Sequence, residues 1–143
     1  MRNLTVIALV AAGALAFAPS AFAEILHFTA HLDGAQETPP NDSPGTGMAE
    51  VTFDTATNKL GWQIVYSGLT GPAGAAHFHG PAEPGVAAGV VVKLGPGLDS
   101  PITGMAVITP EQQNWLTKGL MYVNIHTAAH PAGEIRGQVE PAH

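Results

Sequence analysis

The chain has 143 residues, with five Lys and Arg against eleven Asp and Glu, seven His and no Cys. An acidic balance of this kind excludes binding modes that depend on a basic surface, nucleic acid and anionic membrane among them. The lack of cysteine excludes disulfides, so the fold must rest on an apolar core, and any site for a soft or borderline metal must be built from imidazole or thioether.

The first 23 residues read as a secretory signal rather than as part of a fold. Arg2 precedes an apolar run from Leu4 to Phe17, and Pro19-Ser20-Ala21-Phe22-Ala23 supplies an Ala-x-Ala cleavage site. The run is too short and too rich in alanine to favour a membrane span, and no lipobox cysteine offers a lipid anchor. The mature chain is therefore expected to be a single domain over residues 24–143, periplasmic or secreted, with no membrane attachment after cleavage. Losing Arg2 leaves four basic residues against eleven acidic ones, a net charge of −7. About 120 residues suffice to bury one core.

From Ile25 to Asp33, apolar Leu26, Phe28, Ala30 and Leu32 alternate with His27, Thr29 and His31, the pattern of a half-buried strand. Gly34 to Gly47, with Pro39, Pro40 and Pro44, reads as a long loop. Met48–Phe53 and a strand carrying Leu60, Trp62, Ile64 and Tyr66 flank the turn chemistry of Asp54 to Asn58, which predicts a hairpin. After a loop from Gly68 to Gly74, the strand Ala75–Gly80 contains His77-Phe78-His79; Gly80 to Gly89 reads as a surface connection. Val90 to Leu94 is a short β-branched strand and Ile102 to Thr109 a weaker one. One helix is predicted: Thr109 as cap, Pro110 at the first position, Gln112 completing a capping box, Gly119 as the stop. The strand Leu120–His126 turns Met121, Val123 and Ile125 one way and Tyr122, Asn124 and His126 the other; a last strand, Glu134–Val139, points Ile135 and Val139 inward. About eight short strands and one helix, without a βαβ rhythm, predict an all-β antiparallel sandwich or flattened barrel.

The chemistry concentrates in histidine. Six of the seven fall into the pairs His27/His31, His77/His79 and His126/His130. Side chains two apart on a strand share a face, so His77 and His79 are placed to chelate one ion, with His126 at a strand end as a third ligand and His130 as a fourth. Imidazole suits copper or zinc, copper being favoured. His27 and His31 fit a solvated face, and terminal His143 carries no role. No nucleophile elbow, carboxylate pair or phosphate cradle is present, so no catalytic residue is nominated. Glu134 and Arg136 share a face; exposed, they form a surface pair worth under ~1 kcal/mol, and covered by the Gln36–Pro40 loop they would fix it by charge-assisted hydrogen bonds.

Three segments together resemble the CHRD domain, the module named after chordin. They are Leu32-Asp33-Gly34-Ala35-Gln36-Glu37-Thr38-Pro39-Pro40, Ala76-His77-Phe78-His79-Gly80-Pro81-Ala82, and Gly119 to Thr127 running on to Gly133-Glu134-Ile135-Arg136-Gly137-Gln138. The resemblance spans nearly all of the mature chain and is to the single-domain exported bacterial type. It implies an all-β immunoglobulin-like or superoxide-dismutase-like barrel without a settled activity. Where the family pattern has Asn-Pro followed by Gly-Gly, this chain has His130-Pro131-Ala132-Gly133. A fainter likeness to copper/zinc superoxide dismutase lies in the His-x-His strand, although the disulfide cysteines are missing and the two-metal ligand order is not recognisable.

Three functions follow as expectations. The first is an exported binding protein that holds a transition metal on an outward histidine cluster. The second is a copper-dependent dismutase-like oxidoreductase. The third is a metal-free interaction or matrix module that meets an envelope or extracellular protein.

Overall fold

The computed structural model describes residues 22–143, so the predicted signal over residues 1–23 lies almost entirely outside the described residues. Nine strands, β1 (Ile25–Asp33), β2 (Thr46–Asp54), β3 (Lys59–Ser67), β4 (Ala73–His79), β5 (Val90–Lys93), β6 (Ile102–Val107), β7 (Tyr122–Thr127), β8 (Ile135–Gln138) and the two-residue β9 (Glu140–Pro141), are joined by one helix, α1 (Pro110–Thr117). They form a single sheet in the order β5-β4-β7-β8-β1-β2-β3-β6, with β9 pairing on β1. Every pairing is antiparallel, and the sheet curls into a nearly closed barrel.

Alternation decides the inside. Phe28, Ala30 and Leu32 of β1, Ala49, Val51 and Phe53 of β2, and Leu60, Trp62 and Ile64 of β3 are buried in one cluster with Ala76 and Phe78 of β4 and Val123 and Ile125 of β7. Phe78 is fully buried and meets Trp62 edge to face, ring centroids 5.6 Å apart. That contact ties β4 to the opposite wall of the barrel and is worth about 0.5–1.5 kcal/mol beyond the area it buries. The helix follows its sequence signals. Thr109 accepts from the Gln112 amide, the Gln112 side chain returns the bond, and Gly119 takes a positive φ of 69° just after the last turn.

The outer face departs from expectation. On β7, Tyr122 and Asn124 are each only 3% exposed on the side away from the core, although an outward histidine cluster was expected on that side. Of the two readings left open for Glu134 and Arg136, the covered one holds, Glu134 being 0% and Arg136 1% exposed. The reason is a second layer. The loop from Gly34 to Gly45, which begins with a 3-10 turn (Gly34–Gln36), and the segment from Gly80 to Gly89 fold back over β4, β7 and β8. The 80–89 segment, expected as a plain surface connection, thereby becomes a lid whose Ala82 is buried.

Buried polar groups need partners, and Glu134 has four. Ser43 donates to it at 2.6 Å, Thr127 at 2.6 Å, and Thr70 through its amide at 2.8 Å and its hydroxyl at 3.1 Å. One carboxylate thus joins two loops to β7. Burial alone would raise its pKa, but these bonds outweigh it and hold the group below the usual 4.5. Arg136 fixes the other cover. It donates to the carbonyls of Val86 at 2.8 Å and Glu83 at 3.3 Å, and its guanidinium lies 3.5 Å above the Tyr122 ring. The pair does fix loops by charge-assisted bonds: Glu134 holds the Gly34–Gly45 loop at Ser43, just beyond Gln36–Pro40, and Arg136 holds the 80–89 segment.

Replacing Glu134 by Ala strands four donors, and urea unfolding at neutral pH is expected to show a loss on the order of 3–5 kcal/mol. Because its folded pKa is depressed, the wild-type contribution is fully present above the unfolded value and lost as pH falls through the folded one. The difference between wild type and variant should therefore shrink in acid.

Candidate metal centre

Register builds the site. Across β4 and β7, Ala75 pairs with His126, His77 with Asn124 and His79 with Tyr122, with one irregularity between Ala73 and Ala75. Because alternate residues share a face, His77, His79, Tyr122, Asn124 and His126 all point outward, and His126 lies diagonally next to His77. The same row continues into β8, where Asn124 pairs with Arg136.

The three imidazoles converge. One ring nitrogen from each of His77, His79 and His126 lies within 4.8 Å of the other two. His77 Nδ1 and His126 Nε2 are 3.2 Å apart. Two nitrogens held at ~2.0–2.1 Å by one tetrahedral ion would sit roughly 3.3 Å apart, so this pair is already near chelating distance. The third nitrogen, from His79, lies within 4.8 Å of the other two and would have to close by up to about 1.5 Å, loosening its present contacts as it did so.

A backbone carbonyl sets the tautomer of His126. His126 Nδ1 faces the Pro131 carbonyl at 3.0 Å, and a carbonyl only accepts, so the proton resides on Nδ1 and the Nε2 lone pair is turned toward His77. His79 meets an acceptor at both ring nitrogens, Nδ1 facing the Ala88 carbonyl at 3.0 Å, so its contacts fix the ring without selecting one tautomer. Its Nε2 lies 3.0 Å from the side-chain oxygen of Asn124. The His79 ring stacks on Tyr122 at 4.7 Å with planes 5° apart, and Arg136 occupies the other face of Tyr122. His79 is thus locked between a carbonyl, an amide and an aromatic plate.

The electrostatics favour neutral ligands. Burial lowers the pKa of His77, and the neighbouring His126, His79 and Lys93 lower it further. Burial likewise lowers that of His79, more than the bonds to Ala88 and Asn124 raise it. An imidazole that is neutral at physiological pH offers its lone pair without first shedding a proton.

His130 lies outside this group. It sits in the turn after β7, its backbone bonded to Thr127 and Gly133, beside Pro39 and Pro40. His27 and His31 lie on the exposed side of β1, His31 making a 3.4 Å contact with Asp33, and His143 is exposed. The expected outward cluster does face away from the core, but it is not open: His79 is 8% exposed beneath the 80–89 segment.

Sequence reasoning missed Asn124 and Glu37 as part of the site. Asn124 was legible as the polar residue on the His126 face of its strand. Glu37 was not, because nothing local says that a loop carboxyl will be buried. It is 3% exposed, and one of its oxygens has no hydrogen-bond partner. Burial pushes its pKa up to about 7, against a backbone bond at Thr38, the Arg136 charge and a bond from the Asn124 amide, all of which lower it. A Cβ at Gly133 would collide with this carboxyl, 2.7 Å from its Cδ, and Gly133 also has a φ of 128°. Glycine there makes room for Glu37.

Two comparisons returned nothing: no curated protein and no solved structure matches the chain. A family model described as CHRD domain matches residues 28–139, which take in every strand of the sheet apart from the first residues of β1 and the short β9.

A carboxyl whose folded pKa exceeds its unfolded one favours folding while protonated, so its cost appears as pH rises from about 4.5 to 7. Above that range Glu37→Gln is expected to be more stable than wild type by about 2–3 kcal/mol, an advantage that vanishes near pH 4.5. His77 and His79, with lowered values, tilt stability the opposite way in both proteins. Paired chemical-denaturation curves across pH isolate the Glu37 term, and a pH-independent difference would contradict its burial as an acid.

Proposed function

The chain belongs to the CHRD domain family, and on that footing we propose that it is an exported protein that binds a transition metal ion through His77, His79 and His126, with copper favoured over zinc. The observation that supports this most is the convergence of three ring nitrogens from two adjacent strands, two of them 3.2 Å apart. Core packing does not require it, since Phe78, Val123 and Ile125 anchor the same strands from the other side. Imidazoles without thiolate suit a borderline divalent cation, and for a given nitrogen site Cu(II) outbinds Zn(II).

The surroundings support a binding role. The Pro131 carbonyl holds the Nδ1 proton of His126, and oxygens of Ala88 and Asn124 bracket the His79 ring, the kind of outer-shell contact that orients metal-binding histidines. Three protein ligands leave a further position for water or a small molecule. Export rests on the leader pattern of residues 1–23, and places the protein in the periplasm or outside the cell.

Titration of the metal-depleted mature protein with Cu(II) is expected to show one tight site per chain, weakening as pH falls through the imidazole range because protons compete for the same lone pairs. A His77→Ala/His79→Ala double substitution is expected to lower affinity by at least the ~10–100-fold typical of losing even an outer-shell partner. Unchanged affinity in that variant would overturn the reading.

A further inference from the structure

We propose that Lys93 is a positioning residue for a small anion at the histidine centre: its ammonium borders the metal-binding face and draws an anion to the coordination position that three imidazoles leave open. The inference rests on the metal-binding reading above and extends it to the ligand that a bound ion would take.

Register places the lysine. Across β4 and β5, His77 pairs directly with Lys93, ahead of the irregularity between Phe78 and His79. Directly opposite residues of an antiparallel pair share a face, with Cβ atoms about 4.5–5.5 Å apart. Val92 and Leu94, on either side of Lys93 in the chain, pack on the core, so Lys93 is turned outward with His77. Its four-carbon stem is flexible and carries the ammonium at least as far from the sheet as an imidazole reaches. The charge is felt at the ring: after burial and the two other imidazoles, Lys93 is among the groups that lower the His77 pKa.

Charge decides what this place attracts. The three candidate ligands are imidazoles and no carboxylate joins them among the described residues, so a divalent ion held there keeps its full charge. The chain as a whole is acidic and repels anions at long range, so recruiting one calls for a local cation. Lys93 is exposed, and the one ion pair among the described residues is His31 with Asp33, which leaves the ammonium without a carboxylate. Arg136, the other cation near the cluster, is already engaged: it is buried, donates to the carbonyls of Val86 and Glu83 and lies over Tyr122. Lys59 and Lys118 are on none of the strands that build the site. His79 is covered, whereas His77 and His126 are only half-buried, so Lys93 borders the side from which a small solute can reach the cluster. Because β5 ends the sheet, a lysine there also discourages pairing with other chains. That role asks nothing of an anion, which makes the two separable.

The test uses the metal-depleted mature protein at neutral pH, as wild type, Lys93→Gln and Lys93→Arg. Each is titrated with Cu(II), and the copper-loaded form is then titrated with azide, whose charge-transfer absorption reports an anion on the ion. In Lys93→Gln, azide affinity is expected to fall ~3–10-fold at low ionic strength, the effect of one unit charge several ångströms away. The difference is expected to shrink in about 1 M of a non-coordinating salt, where screening acts over about 3 Å. Cu(II) affinity is expected to be equal or slightly higher, because a like charge has been removed from beside the cation. Lys93→Arg is expected to keep the azide affinity of wild type.

Unchanged azide affinity in Lys93→Gln would overturn the proposal, as would a parallel loss of Cu(II) and azide binding, the mark of a disturbed site. A loss undiminished by salt, or a copper-loaded wild type that takes up no azide, would overturn it too. If wild type binds no Cu(II), the metal reading fails and this inference with it; if Cu(II) binds and Lys93 leaves azide unaffected, only this inference falls.

Discussion

The pairing of β4 with β7 is the constraint from which the rest of the molecule follows. Its register places Phe78 opposite Val123 on the inner side and His77 opposite Asn124 on the outer side. A slip of β4 by one residue would exchange its faces, driving His77 and His79 into the core and exposing Phe78. The hydrophobic cost of that exchange, about 1.5–3 kcal/mol for each large apolar side chain, far exceeds what any histidine contact returns. The core therefore fixes the site. Burial of the side chains behind them decides which face the histidines share.

Two buried carboxylates show how the outer layer divides its work. Glu134 takes four hydrogen bonds from Ser43, Thr70 and Thr127 and is held ionised, a fully satisfied pin between loops and sheet. Glu37 is buried almost as deeply, yet one oxygen is unpartnered and its pKa is pushed up to about 7. Low dielectric strengthens a complete network and penalises an incomplete one. The first carboxylate accounts for stability, while the second is packed against Gly133, where a Cβ would not fit. Between them Arg136 stacks on Tyr122, and Tyr122 on His79, so the same layer that seals the barrel wall also braces the candidate ligand.

Much of the fold was legible residue by residue. Leu26 to Leu32 alternate as a strand should, the Thr109-Pro110-Gln112 signature marks where the helix begins, and Gly119 marks where it stops. These are local effects, set by backbone geometry and capping within a few residues. The second layer was not legible. Gly34 to Gly45 and Gly80 to Gly89 look like exposed loops because their composition is Gly, Pro and polar. Only their return onto β7 and β8, fixed by Asn41, Arg136 and Gln138, reveals a cover. Sequence reasoning consequently left Glu134 and Arg136 open between surface and loop contact, and treated the outer side of β7 as open.

For the candidate site, the spacing of His77 and His79 by itself determined that two imidazoles share a face, because side chains on a strand alternate with period two. The strand ending at His126 supplied a third imidazole of unknown distance. Only the tertiary structure decided that β4 and β7 are neighbours, that His126 lies 3.2 Å from His77 while His130 lies outside the group, and that Asn124 faces His79. Alternation is a property of consecutive residues. Strand neighbours and loop burial depend on how the whole core is best enclosed, and that balance is written in no single stretch of the chain.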